Sequence, residues 1–414
     1  MVSIRPIAAA LVPINSAAAA EVSGPNYDEF QSEEEIRTLV RAQPHSILRV
    51  TMAHCDVHTP NAPAEGSPAA LELAKANLSA LRNSPRMRIT RNVLWICACD
   101  TRAPNPRRQI GLGGLARTAE IRTDKTQGGV IIRNEDIIPA KADGRARLID
   151  ATRAYTDCVN NAVEDSTGAL QKALEHDAGS RPPNYEAQDD GGNWHRIWLI
   201  ENDALRADKY ARLLAAEPFA YVADGNHRSA AAAMLGRADF LTVFFPMRTM
   251  RIAPYNRLVK AAQLEPTALE RALGESFLVE KLGAQPNGFQ PERTHEIGLY
   301  TAKTWYKLRP KPSSYDPKNA AQDIDADIVQ RCVFAPIFQL TNPRDPKFTF
   351  VGGNRDAAYL QQQVNAGQYG FAVTLPPVTL EQFAAVCRQN RMMPPKSTWF
   401  VPKVQSGLVT ALFD

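Results

Sequence analysis

Five consecutive residues, Asp224, Gly225, Asn226, His227 and Arg228, put a carboxylate, a glycine, an amide, an imidazole and a guanidinium in one short stretch. Together these suit an anion cradle. A helix N-terminus presents N–H groups without intrahelical partners and the positive end of a dipole. Gly225 lets backbone approach a ligand with no Cβ in the way. Arg228 can grip a phosphate with a planar fork of donors, and His227 can donate a hydrogen bond or move a proton near neutral pH. The same residues also suit a plain junction, in which Asp224 caps the helix and Gly225 turns the chain.

The flanking sequence supplies the elements a cradle needs. Residues 219–222 are an apolar run that predicts a buried strand, the alanines at 230–233 predict a helix stopping near Gly236, and 240–245 predict a second strand. A second informative stretch is 128–147. Its β-branched run at 130–132 gives way to Glu135, Lys141, Asp143 and Arg145, with a helix predicted from about Ala146 towards Val159. Acids and bases gathered after a strand suit catalysis, and equally suit a solvated turn. At 250–259 a strand followed by a turn leaves Asn256 and Arg257 at the strand's end. Near the C-terminus Lys396, Ser397 and Thr398 offer one charge and two hydroxyls to phosphate oxygens, or form an ordinary proline-rich turn before an edge strand.

Elsewhere, residues 1–24 predict a strand and an alanine-rich loop. A capping box at 32–35 opens a short helix, and 46–52 predict a strand. His54, Cys55, Asp56 and His58 have metal-ligating side chains, but no second ligand cluster follows at zinc spacing, so the expectation is a polar strand end. Residues 68–81 predict a helix, 93–99 a strand, 194–200 a strand and 204–216 a helix. Gly111, Gly113 and Gly114 lack the lysine and hydroxyl of a phosphate loop and predict a bend in a sheet.

The 414 residues are 44% hydrophobic and 22% charged with a net charge of +4, ordinary values for a soluble globular chain and too weakly basic for a dedicated nucleic-acid binder. Cys55, Cys97, Cys99, Cys158, Cys332 and Cys387 form no disulfide framework and fit a reducing cytoplasm. Arg5 and the apolar residues after it faintly resemble a secretory signal, but Pro13 and Asn15 interrupt them, so a cytoplasmic location is expected. No segment reaches the roughly 18 apolar residues of a membrane helix.

Taken in order, these motifs resemble a conserved, uncharacterised bacterial family related to the free L-serine kinases of the ParB/sulfiredoxin-like superfamily. The kinases carry Val-Asp-Gly-His-His-Arg after a strand and the uncharacterised family carries Ala-Asp-Gly-His-His-Arg. Ala223 to Arg228 matches with Asn226 in place of the first histidine. Arg133-Asn134-Glu135, followed by Lys141, Asp143 and Arg145, is similar to the family's His-Glu stretch, with Asn134 for histidine. Pro254-Tyr255-Asn256-Arg257 resembles its Pro-Thr-His-Arg turn, and Pro25-Asn26-Tyr27-Asp28 its Pro-Pro-Tyr-Asp. The tail from Pro395 to Lys403, then Ser406-Gly407-Leu408, matches well.

The resemblance implies a mixed α/β fold: a ParB/sulfiredoxin-like nucleotide-binding core with insertions at 1–263, a smaller α/β subdomain at 264–390, and a C-terminal segment, 391–414, returning to the active-site cleft. It implies a kinase that moves phosphate from ADP or ATP, with Mg²⁺, to a small hydroxyl amino acid such as free serine. Glu135 would position or deprotonate the acceptor hydroxyl, and Asp224 would orient the turn or meet the metal through water. Gly225, Asn226, His227 and Arg228 would hold the transferring phosphate, and Lys396, Ser397 and Thr398 another. Asn256, Arg257 and Arg145 would bind the substrate. The expected partners are the nucleotide and the amino acid, with a homodimer allowed and neither membrane nor nucleic acid expected. Asparagine cannot carry a proton as histidine does. The alternative is therefore a non-catalytic nucleotide-binding regulator.

Overall fold

The structure is a computed structural model that describes residues 1–102, 106–123 and 126–413. The chain is a mixed α/β protein of two compact units. One comprises Met1–Arg133, Ile137–Met250 and Pro402–Asp414, the other Asn134–Asp136 and Arg251–Val401. The divisions thus fall after Met250 and Val401, not after 263 and 390. The reason is strand pairing: Tyr255–Val259 joins the second unit's sheet on both edges, and Trp399–Val401 pairs with Arg251–Ala253.

The first unit is built on an eleven-stranded mixed sheet. Its order runs Ile131–Ile132, Ala220–Asp224, Val159–Val163, Asp239–Pro246, Arg108–Arg117, Met87–Asp100, Ile7–Pro13, Thr410–Leu412 and Ala154–Tyr155. The hairpin Tyr185–Gln188 and Trp194–Glu201 joins through Met87–Asp100. Asp239–Pro246 runs parallel to Val159–Val163, and both are almost wholly buried, which is why 240–245 reads as one continuous apolar run.

The glycines at 111–114 do not bend the sheet. They lie inside the strand Arg108–Arg117, opposite Trp95 and the neighbouring residues of Met87–Asp100. A Cβ on Gly113 would stand 1.9 Å from the Trp95 ring, and one on Gly111 would stand 2.6 Å from that of Phe245. The missing side chains make room for two large rings packed flat on the sheet.

Four other local expectations change. Residues 16–22 are not loop but the helix Ser16–Val22, whose first turn is capped by the Asn15 side chain accepting from the Ala18 amide. Residues 46–52 hold no strand. Leu48–Thr51 is one helical turn, because that conformation delivers Ile47 and Val50 to a core shared with Leu11, Val22 and Leu78. Residues 53–55 are likewise a 3₁₀ turn and not a strand end. The helix predicted from 146 begins earlier, as Pro139–Thr152, because Pro139 is pre-set for the first helical position; it ends before Val159, where Arg153 turns left-handed at φ 54°. Lys141, Asp143 and Arg145 therefore ride on a helix.

The second unit has a six-stranded antiparallel sheet in the order Phe277–Gly283, Thr304–Pro310, Ile297–Thr301, Phe371–Thr374, Tyr255–Val259 and Phe348–Gly352. Leu258, Tyr300, Trp305, Val351 and Leu360 form its core. Asn256 and Arg257 lie inside a central strand and not at a strand's end. Among the described residues no helix is long and apolar enough to cross a membrane.

The packing at Gly113 is directly testable. Gly113→Ala forces a methyl into the Trp95 ring and should destabilise the chain by about 2 kcal/mol, read as a lower midpoint of urea unfolding. An unchanged midpoint would contradict the packing described.

Candidate functional site

In the first unit the strand Ala220–Asp224 ends at Asp224, and Gly225 follows at φ 98° and ψ 32° as the N-cap of the helix Asn226–Met234. That left-handed conformation strains any residue with a side chain. Arg228 also fills the space, since a Cβ on Gly225 would stand 2.9 Å from its Nε. Gly225, having no side chain, gives this helix start no cap of its own.

The charges around the turn form one buried network. Arg228 Nη2 donates to Asp224 Oδ2 at 2.6 Å. Lys403 Nζ donates to Asp224 Oδ1 at 2.8 Å and to Asp28 Oδ2 at 3.3 Å. Arg228 Nη1 donates to Asn26 Oδ1 at 3.1 Å and to the Cys158 carbonyl, and Asn26 Nδ2 donates to the Val404 carbonyl at 2.7 Å. The Lys403 side chain is 3% exposed, so its charge exists only because carboxylates meet it. Burial pushes Asp224 towards its neutral form, but Lys403 and then Arg228 outweigh it and hold the carboxyl below its ordinary range. Burial opposes the charge on Lys403 and on Arg228 too, yet Asp224 raises both. Glu29 lies at the edge of this network, its Oε1 accepting from the Asn26 amide at 2.7 Å. Burial is the largest influence on its carboxyl, which is pushed up to about 7.

This arrangement redefines two of the expected residues. The two terminal nitrogens of Arg228 are engaged by Asp224, Asn26 and the Cys158 carbonyl, so it holds the turn in place. His227 Nε2 accepts from the Ile138 amide at 3.0 Å, at the start of Pro139–Thr152. An accepting Nε2 carries no proton, so the ring is neutral with its hydrogen on Nδ1. Arg145 lies 3.7 Å above the centre of the Tyr27 ring. Arg145 and Arg228 both line a small pocket of about 20 Å³, with Thr156, Asp157 and Tyr155 as further polar groups over Val159 and Phe240.

The second unit collects the others. Glu135 bridges Met393 in a short parallel pairing, and the Met393 amide donates to the Asn134 carbonyl at 2.8 Å. Arg257 donates to the Tyr255 carbonyl and, through Nη2, to the Lys396 carbonyl at 3.2 Å. Burial lowers the Arg257 guanidinium to about 10, against the opposing influence of Tyr255 and of Glu135. Arg257, Glu135 and the Lys396 turn are therefore neighbours. Lys396 sits at φ 60°, with Nζ 5.6 Å from the centre of the Tyr255 ring. Ser397 and Asn256 are turned inward. The Ser397 hydroxyl donates to the Pro394 carbonyl at 2.7 Å; the Asn256 amide donates to Gln290 at 2.9 Å and accepts from the Leu375 amide at 3.0 Å. Thr398 is half-buried.

Lys403, Asn26 and Glu29 are the residues that sequence reasoning left out of the site. Their motifs were visible, but 375 positions separate Lys403 from Asp28, and no spacing rule joins residues so far apart. A second arrangement was invisible in the sequence. Cys99 Sγ lies 3.1 Å from His195 Nδ1, and His195 Nε2 lies 3.0 Å from Asp189 Oδ2. This has the order of a thiol triad, but Cys99 and His195 are 0% exposed, so it serves as an internal polar chain holding Asp189 to the sheet.

Two outcomes follow from the network. Lys403→Met leaves two carboxylates facing each other and should cost about 3 kcal/mol of stability, measured by urea unfolding. Glu29 has a carboxyl pKa of about 7 in the folded chain against 4.5 ordinarily, so between those values the folded state binds more protons than the unfolded one. Its contribution to stability is present in acid and falls as pH rises through that window. Glu29→Gln should flatten that fall in unfolding measurements at successive pH values.

Among solved structures the chain is similar to a free serine kinase in complex with AMP, at 10% identity over 72% of this chain and 92% of that one, with a TM-score of 0.38. It is similar to a conserved hypothetical protein from Pyrococcus furiosus at 8% identity, over 72% and 95% of the two chains, with a TM-score of 0.37. For SbnI with a C-terminal truncation from Staphylococcus aureus the values are 11%, 72% and 87%, with a TM-score of 0.38. Likeness at this level assigns no activity. No curated protein matches in sequence. Residues 4–331 match the family described as protein of unknown function DUF1015, which is well over half of the chain, and the protein belongs to that family.

Proposed function

We propose that this protein is a small-molecule kinase that transfers phosphate from ADP or ATP to the hydroxyl of free serine or a similar hydroxyl amino acid. The observation that carries the reading is the Gly225 turn: a helix of nine residues starts there behind a left-handed glycine, at the end of a strand paired on both sides, with a buried ion-pair network fixing the turn. A preset row of backbone amides is what phosphoryl transfer asks of a protein, because the reaction needs positioning and charge neutralisation more than covalent help.

The roles then divide as follows. The amides at Asn226, His227 and Arg228 receive phosphate oxygens. Asp224 and Arg228 orient the turn through their mutual ion pair, with Lys403 as the third member. Glu135 positions or deprotonates the acceptor hydroxyl. Arg257, a buried cation, attracts the substrate carboxylate, and Lys396 with Thr398 a further phosphate. Arg145 is assigned to the substrate as well. Magnesium would enter with the nucleotide, whose phosphates supply most of its oxygen ligands. Asp224 fits it poorly, since both carboxylate oxygens are held by cations, and no step here runs through the ion.

One observation favours a second reading, a nucleotide-binding regulator without catalysis. His227 Nε2 is held by a backbone amide, and asparagine stands at positions 134, 226 and 256, so few groups near the assigned sites can move a proton.

The deciding experiment mixes the protein with Mg²⁺, ADP or ATP, and a panel of hydroxyl amino acids, and looks for a phosphorylated product by mass. Glu135→Gln should lower turnover by about 10²–10⁴-fold while nucleotide binding persists. Unchanged turnover in that variant removes Glu135 from the mechanism. Nucleotide binding without any product in the unaltered protein selects the regulator.

A further inference from the structure

The stretch His54-Cys55-Asp56-Val57-His58 has no part in the proposed reaction, and the structure divides it into two groups. Asp56 and His58 are committed. Asp56 takes hydrogen bonds from Arg49, Thr59, Asn77 and the His58 amide, and His58 Nε2 lies 3.0 Å from the Val40 carbonyl. His54 and Cys55 are different. They sit in the 3₁₀ turn Ala53–Cys55, and neither the ring nor the thiol makes a hydrogen bond to another described residue. Yet the His54 side chain is only 9% exposed and Cys55 is 1% exposed. An imidazole and a thiol shielded side by side next to one carboxylate call for an explanation.

The helix Glu33–Ala42 provides it. Its Ile36 and Val40 pack with Cys55, Leu48 and Met52 in one apolar cluster, and this packing brings the helix's first residue, Glu33, onto the turn. Glu33 Oε1 is 3.8 Å from His54 Nε2, and one ligand atom from each of Glu33, His54 and Cys55 lies within 4.8 Å of the others. Ligand atoms on a tetrahedral zinc stand about 3–4 Å apart, given metal–ligand lengths of roughly 2.0–2.3 Å. The shortfall is small, and Glu33, half-exposed, is free to swing inward. Its Oε2 is held by Arg37, which leaves Oε1 for a metal.

We propose that Glu33, His54 and Cys55 form a three-ligand site for a borderline-soft divalent cation, zinc by class, with solvent in the fourth position. The nitrogen and sulfur donors discriminate against magnesium and calcium, which take oxygen. Binding replaces the S–H bond of Cys55 with an S–metal bond. The proton leaves to solvent, and no electrons change hands. The metal would staple the start of one helix to a turn some twenty residues later. The site lies wholly in the first unit and is independent of the phosphotransfer reading.

The test uses the full chain, stripped of metal, titrated with Co²⁺. One equivalent should produce the thiolate-to-cobalt charge-transfer band in the near ultraviolet with the visible bands of a tetrahedral ion, and Zn²⁺ should bleach both. Cys55→Ser should abolish the charge-transfer band, whereas Cys332→Ser should keep it. Glu33→Ala, at an exposed position, should weaken Co²⁺ binding at least tenfold. Absence of the band in the unaltered protein, its persistence in Cys55→Ser, or unchanged affinity in Glu33→Ala overturns the proposal.

Discussion

An ammonium group, Lys403 Nζ, is held between the carboxylates of Asp28 and Asp224, and Asp224 is held in turn by Arg228. The rest of the first unit depends on this chain of charges. It joins three stretches distant in sequence: the turn near Asn26, the strand-to-helix junction at 224–228, and the C-terminal segment from Pro402. Burying such groups is costly, and only the completed set recovers the cost. A network of this kind adds little net stability, but it penalises every arrangement in which one member is missing. The junction therefore has one well-defined geometry, fixed from its inner side.

That inner support changes how the functional residues are read. An arginine next to a glycine turn invites the role of phosphate grip, yet its fork is already engaged. What the turn presents is its backbone, and the polar side chains behind it are the mounting. The same logic applies in the second unit, where Arg257 donates to the carbonyls of Tyr255 and Lys396 and so fixes the turn that carries Lys396. In both units an arginine is spent on backbone geometry. Arg257 differs in that, among the described residues, the groups accepting from it are backbone carbonyls, so burial lowers its pKa where Asp224 raises that of Arg228.

Glycine has two distinct uses here. At Gly225 the backbone conformation demands it. At Gly113 the backbone is an ordinary strand and the demand comes from the neighbouring ring. A sequence shows both as the same letter, and the bend expected at 111–114 was the result.

The sequence by itself determined those elements whose pattern is local. The buried runs around 220–224 and 239–246, the capped helix after Ser32, and the helices at 68–82 and 204–215 all follow from periodicity and end signals. The order of motifs also named the residues at the Gly225 turn and in the tail. Tertiary structure alone decided what depends on distant partners. Ile47 and Val50 have strand-forming side chains, but the core they enter required a helical turn. Asn256 and Arg257 became mid-strand residues because sheet partners lie on both sides of them. His54 and Cys55 gained Glu33 only through helix packing. Lys403 found Asp28 and Asp224 because the last segment of the chain closes onto a sheet begun by the first, and a cation shielded from water must stand where carboxylates are already waiting.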